Sequence, residues 1–192
     1  VLQRQLAEIE AENIRFSKDF VEIEQKNANL ANLFVAVYRI HGTLDKKEIL
    51  SIIQEIIINL IGSEEIAIFE WERATAKLTL VSSYGMDPHQ FRHLFPKSGV
   101  FGKVIRSGEP VHVTASEEAN KEDYEENLTA CIPLKVEGEV IGLIAIFRLL
   151  GHKSELEDID RELFGLLASH AAMSLYCSFL HARTANGVGE SA

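Results

Sequence analysis

Few residues of this 192-residue chain could carry chemistry. Its two cysteines, Cys131 and Cys177, make neither a disulfide framework nor a four-ligand zinc site by themselves. His89 and His93 stand at i and i+4 of an expected short helix, a spacing that turns both imidazoles to one side, as iron or heme ligation would need. No motif places a third ligand, and half-buried or surface histidines are the commoner outcome, so no metal or cofactor is expected. Charge is the other signal. Between Pro88 and Gly108 stand Arg92, Lys97, Lys103 and Arg106 with two histidines and no acid. From Thr114 to Asn127, the acids Glu117, Glu118, Glu122, Asp123, Glu125 and Glu126 face one Lys121. A sharp reading has the basic run and the start of a helix at Gly99 receive an anionic ligand, with the acidic segment as a lid. The blander and favoured reading has both as solvated faces, or the lid paired with the basic run.

The elements that must position these groups begin with a long heptad pattern. Leu2, Leu6, Ile9, Asn13, Phe16, Phe20, Ile23, Asn27, Leu30, Phe34, Val37, His41 and Leu44 recur at spacings of 4 and 3 without a slip. Leu2 takes a d position and Leu6 an a position, and neither glycine nor proline interrupts before Gly42. A seam this narrow needs a partner. Asparagine fills two a positions, Asn13 and Asn27, where in a parallel, in-register dimer each would face its own copy. In an antiparallel pair each would strand a buried amide against Leu or Phe, so a parallel homodimer is expected. The flanking charges do not help, since Asp19 at g would meet Glu24 of the partner at e. The alternative is an amphipathic helix folded back on its own domain, although such helices show a wider stripe. Leu33, Val35, Tyr38 and Ile40 do widen it near the end, which suggests packing on a second long helix, as in a four-helix bundle.

The rest reads as one domain. Asp45 with Glu48 suggests a capping box opening a helix to about Ile61, closed by Gly62. Strands are expected over 66–72 and 78–83, short helices over 88–95 and 99–106, and an extended segment over 111–114. Residues 128–136 and 139–147 form a second hairpin around Glu137-Gly138, and 155–181 form a long helix. This order is α+β: an antiparallel sheet with long helices on one face. The boundaries expected are a coiled-coil helix over 1–42, a globular domain over 43–182 and a disordered tail over 183–192.

Composition narrows the function classes. With 46% apolar residues the chain is not mainly disordered. A net charge of −10 lacks the electrostatic footprint of nucleic-acid binding. No apolar run approaches the ~20 residues of a membrane span. No basic-then-apolar leader precedes the helix, so a cytoplasmic protein is expected; the start at Val1 suggests a piece of a longer chain.

Three segments carry a family resemblance. The run Ser98-Gly99-Val100-Phe101-Gly102-Lys103-Val104-Ile105-Arg106-Ser107-Gly108-Glu109-Pro110-Val111 resembles the central segment of GAF domains. The stretch from Cys131-Ile132-Pro133-Leu134 through Gly138 and Ile141-Gly142-Leu143-Ile144-Ala145-Ile146 is similar to the family's strand hairpin. Asp160, Leu163, Phe164, Leu167, Ala168, Ala171 and Ala172 resemble its closing helix, with Leu156 where the family usually has Phe. Pro133 suits an edge or the start of a strand, and Gly142 is read as letting a helix approach the strand. The resemblance covers about residues 43–182. It implies a five- or six-stranded antiparallel sheet, two terminal helices on one face and a small-molecule pocket on the other.

It also supplies chemistries to test. Cyclic-nucleotide-binding members carry a signature around the last strands, whereas Asn120-Lys121 precedes the final hairpin and lacks the remainder. Bilin-binding members use a cysteine, but Cys131 falls on a strand with no adjacent histidine. Members that reduce free methionine sulfoxide need several pocket cysteines, and only Cys131 qualifies. Cys131 therefore reads as a small buried hydrophobe, and no enzyme is expected. The resemblance places Phe69, Trp71, Arg92, His112, Thr129 and Cys131 around the pocket. The reading is a non-catalytic sensor module that binds a small molecule or partner and passes the change to dimer helices, with its output in a protein or domain outside this chain. The alternative is a ligand-free dimerising adaptor.

Overall fold

The computed structural model describes residues 2–92, 94–114, 117, 121–149 and 158–187. Helix α1 (Leu2–His41) ends at Gly42, whose N–H donates to the carbonyls of Tyr38 and Arg39 at 3.1 and 3.0 Å. Helix α2 (Lys46–Ile56) is capped by Asp45, whose carboxylate accepts from Lys47 N at 2.8 Å. A π turn, Ile57–Ile61, prolongs α2 to Gly62, which takes the left-handed conformation expected of a C′ glycine. Arg39 of α1 donates to both carboxylate oxygens of Glu55 in α2 at 3.0 Å.

Five strands follow in antiparallel pairing: β1 (Ser63–Glu72), β2 (Lys77–Tyr84), β3 (Val111–His112), β4 (Ala130–Val136) and β5 (Glu139–Leu149). Their spatial order is β2-β1-β5-β4-β3. The β4–β5 turn has positive φ at both Glu137 and Gly138, as a two-residue hairpin of matching twist requires. Pro133 is buried in β4, and among the described residues β3 pairs only with Ala130 and Cys131, so no strand pairs with Pro133 on that side. Between β2 and β3 lie a 3₁₀ turn (Pro88–Phe91) and helix α3 (Gly99–Ser107). The expected helix over 88–95 shrinks to that turn. Leu94 instead accepts from Leu78 N at 2.9 Å, and Pro96 disfavours helix in the residue before it.

Alternation along the strands buries both faces. Ile66, Ile68, Ile132, Leu134, Ile144 and Ile146 face three helices: α1 through Leu33, Ala36 and Ile40, α2 through Ile49, Ile53 and Ile56, and α4 (Asp158–Gly187) through Phe164, Leu167 and Ala171. Ala67, Phe69, Cys131, Leu143, Ala145 and Phe147 face the other way, under α3 and the 3₁₀ turn. His41 meets His170 and Ser174 while Leu44 O accepts from Ser178 Oγ at 2.7 Å, so α1 and α4 run in the same direction.

Three expectations need correction. Gly142 is needed by a strand rather than a helix: a Cβ there would collide with the carbonyl oxygen of Phe69 on β1. The tail does not begin at 183, since α4 stays helical through Gly187; no glycine or proline precedes that residue after Thr184. Residues 188–192 lie outside the described residues, as does Leu156. The folded-back alternative for α1 holds only over its last turns: Leu6 and Phe16 remain 60% and 74% exposed, and among the described residues the domain buries only Leu33, Ala36 and Ile40 of the helix. By length and composition Arg161–Thr184 of α4 could cross a membrane, although charged and polar residues interrupt its apolar ones. Half of that stretch is buried against the sheet and its neighbouring helices.

Gly142→Ala must push β1 and β5 apart or tilt the added methyl into Leu134. We expect a loss of about 1–3 kcal/mol, read as a lower urea midpoint at unchanged m-value.

Candidate functional site

The face of the sheet opposite α1, α2 and α4 is where the pocket residues were expected. Phe69 is fully buried there, its ring 5.2 Å from Phe91 and 5.3 Å from Phe101 between centroids. Phe147 packs on Phe91 at 5.6 Å and Tyr124 on Phe101 at 5.6 Å. These rings form a continuous aromatic core, with edge and tilted geometries that aromatic pairs favour. Trp71 is partly buried against it, and Cys131 is fully buried within it. Burial pushes the Cys131 thiol well above its ordinary range, with the charge of Glu125 adding to the shift, so it is no thiolate nucleophile.

The other expected residues do not converge on that core. Thr129 donates from Oγ1 to Phe147 O at 2.7 Å, a structural bond between strand ends. His112 is half-buried at the end of β3, with Nδ1 buried and no hydrogen-bond partner. Desolvation first, then the charge of Arg161, lowers its pKa and keeps it neutral. Arg92 is exposed after the 3₁₀ turn and lines a shallow depression of about 380 Å³ with Lys77, Leu78, Thr79, Leu80, Pro88 and Phe91. His89 is exposed, and His93 lies outside the described residues, so the two-histidine idea has one placed member.

The feature with the clearest electrostatic logic is the N-terminus of α3. Glu125 is fully buried, and its carboxylate accepts from Val100 N at 2.9 Å, Phe101 N at 2.6 Å and Glu122 N at 2.9 Å. It occupies the free amides and positive end of the helix, where an external anion had been considered. Gly99, at φ +69, is required, since a side chain would strike that carboxylate. Ser98 Oγ hydrogen-bonds Glu122 Oε1, Lys103 Nζ pairs with Glu117 at 2.7 Å, and Arg106 Nη1 donates to Lys97 O at 2.6 Å. Burial, then the charges of Glu125 and Glu122, raise the Tyr124 hydroxyl above its usual range. The acidic segment is thus bonded to the basic run, as the blander reading held. Glu118 and Asn120 lie outside the described residues. Sequence reasoning counted Glu125 only as one charge in a run. The signal was Glu122-x-x-Glu125, which forms a capping box on its own 3₁₀ turn.

On the helix side, a groove of about 400 Å³ lies between the β1–β2 end of the sheet and the C-terminal half of α4. Val81, Leu134, Ile141, Leu175, Tyr176 and Phe179 line it. Glu70, at its edge, is paired with Lys46 at 2.6 Å.

These features define an antiparallel sheet with helices packed on one face and an aromatic core under α3 on the other. A family model for the GAF domain matches residues 45–177, and the chain belongs to that family. Its members are regulatory and sensory modules, although some proteins of this fold are enzymes. Among solved structures, the GAF domain of a phosphoenolpyruvate-protein phosphotransferase from Coxiella burnetii is 18% identical, with TM-score 0.69 over 84% of this chain and 98% of that one. A methyl-accepting chemotaxis protein, residues 122 to 287, is 20% identical, with TM-score 0.59 over 76% of this chain and 97% of that one. The free methionine-R-sulfoxide reductase of Neisseria meningitidis, in complex with its substrate, is 14% identical, with TM-score 0.63 over 81% and 93%. No curated protein sequence matches the chain significantly.

Two outcomes test this description. Glu125→Ala leaves two buried N–H groups and one part-buried N–H without their acceptor and costs about 3 kcal/mol of stability in chemical denaturation, while Glu125→Gln restores part of it. In a Cys177→Ser background, Cys131 stays unreactive to a thiol reagent at pH 8 and reacts only on unfolding; fast native labelling would contradict its burial.

Proposed function

We propose that this chain is a non-catalytic, cytoplasmic signalling module. In this reading α1 forms a parallel homodimeric coiled coil, and α1 and α4 carry conformational change to an output protein or domain outside this chain. One observation carries the reading: a 40-residue helix whose seam, Leu6, Ile9, Phe16, Phe20, Ile23, Leu30 and Phe34, stays exposed in the single chain. Apolar exposure on that scale marks an interaction surface. The register of Asn13 and Asn27 favours a second copy in parallel as its occupant.

The input is a ligand or partner acting on the sheet face under α3. Phe69, Trp71 and Cys131 are the members of the expected set that support this site; Arg92, His112 and Thr129 lie around its margin. Because aromatic side chains fill that face, a small molecule must displace the Pro88–Phe91 turn or the segment carrying Glu125. The second reading, a ligand-free dimerising adaptor, is favoured by the same packing and by the occupied helix end at α3. Chemotaxis and phosphotransferase relatives of the fold support a regulatory role under either reading.

Native mass spectrometry of gently purified protein, with an absorption spectrum of the same sample, separates them. A dimer carrying extra mass supports the sensor, a bare and colourless dimer supports the adaptor, and a monomer contradicts both. Ile23→Asp should convert the dimer to a monomer, because it buries a charge in the seam. The thermal transition of the 45–177 domain should persist in that variant.

A further inference from the structure

Where α1 meets the domain, two imidazoles converge. His41 Nε2 lies 3.0 Å from His170 Nδ1, with the ring planes 85° apart. On the other side of the His41 ring, Nδ1 is 3.3 Å from Ser174 Oγ. His41 is exposed and His170 half-buried, so both are reachable from solvent. Within one protomer a single hydrogen bond accounts for the contact, and among the described residues no group of three or more metal-ligating side chains gathers anywhere.

The heptad register supplies what one protomer lacks. His41 continues the a positions Asn13, Phe20, Asn27 and Phe34. In a parallel dimer residues at a face their own copies, so two His41–His170 pairs would meet at one axis. On α4, Leu166 and Met173, which flank His170 at spacings of 4 and 3, are exposed as well. We propose that the two copies together form a four-imidazole site binding one divalent transition-metal ion of the zinc, nickel or copper class. This rests on the dimeric reading above.

The chemistry fits the geometry. Imidazole nitrogen suits these borderline ions better than calcium or magnesium. Zinc–nitrogen bonds of about 2.0–2.1 Å at a tetrahedral angle put two ligand nitrogens about 3.3 Å apart, a few tenths of an ångström from the spacing present. His41 then ligates through Nε2, and its Nδ1–H donates to the Ser174 hydroxyl. That is the outer hydrogen bond that fixes tautomer and ring orientation in metal-bound histidines. His170 ligates through Nδ1 and keeps its proton on Nε2. Metal binding would join α1 to α4 in both copies.

The test is a titration of the chelator-treated full chain with zinc sulfate by calorimetry, with stoichiometry and oligomeric mass from native mass spectrometry. One zinc per two chains is expected. His41→Asn and His170→Asn should each weaken binding by about 100-fold or more, and Ser174→Ala by about tenfold. Cys177→Ser and His181→Asn should leave binding unchanged. A dimer that takes up no zinc, or whose zinc affinity survives His41→Asn, overturns the metal site and leaves the dimeric reading standing. One zinc per chain overturns the shared site. A chain that stays monomeric with and without zinc overturns both.

Discussion

An α-helix of 40 residues is about 60 Å long, and the domain below it covers only the last few turns. Leu33, Ala36 and Ile40 fix those turns to α2 and α4. The apolar row on the neighbouring face points away from everything in its own chain, with Phe34 still 73% exposed one residue after the fully packed Leu33. Helices in proteins draw most of their stability from packing of an apolar face, and most of this one's apolar face is unpacked in the single chain. α1 enters beside α4 in the same direction, and the two end helices lie together on one side of the sheet. His41, His170 and Ser174 join the two where they meet.

The opposite side of the sheet is filled by its own side chains. Five aromatic rings pack between β1, β5, α3 and the 3₁₀ turns, and Glu125 plugs the end of α3 with three hydrogen bonds. A buried carboxylate is tolerated because amide donors and a helix dipole replace its water. The same contact holds the acidic segment on the domain, so any event that moves this segment must first break it. That makes the α3 terminus a tie within the fold, whatever else approaches this face.

Much of the architecture was legible in the sequence. The unbroken run before Gly42, the Glu137-Gly138 turn and the hairpin around it are local patterns, and they appear in the structure as α1 and the β4–β5 pair. What escaped were contacts between residues far apart in the chain. Gly142 answers to Phe69 O on another strand, and Glu125 to amides 24 and 25 residues earlier. Neither leaves a local signature stronger than a glycine in a strand or an acid in an acidic run. The pocket set met a related limit. Strand alternation places Phe69, Trp71 and Cys131 on one face, but only tertiary packing decides whether that face is a hollow or a core. The helix at 183–187 was missed because small residues suggested a loose end, while alanine is in fact the best helix former.

The direction of pairing in α1 decides the account most directly. A single spin label at Arg4→Cys, in a Cys177→Ser background, reports it through the distance distribution between two copies. A parallel, in-register dimer gives one short distance of order 20 Å, because packed helix axes lie 8–10 Å apart. A distance beyond about 40 Å means antiparallel helices, given a rise of 1.5 Å per residue. That result, or no inter-chain distance at all, would contradict the account.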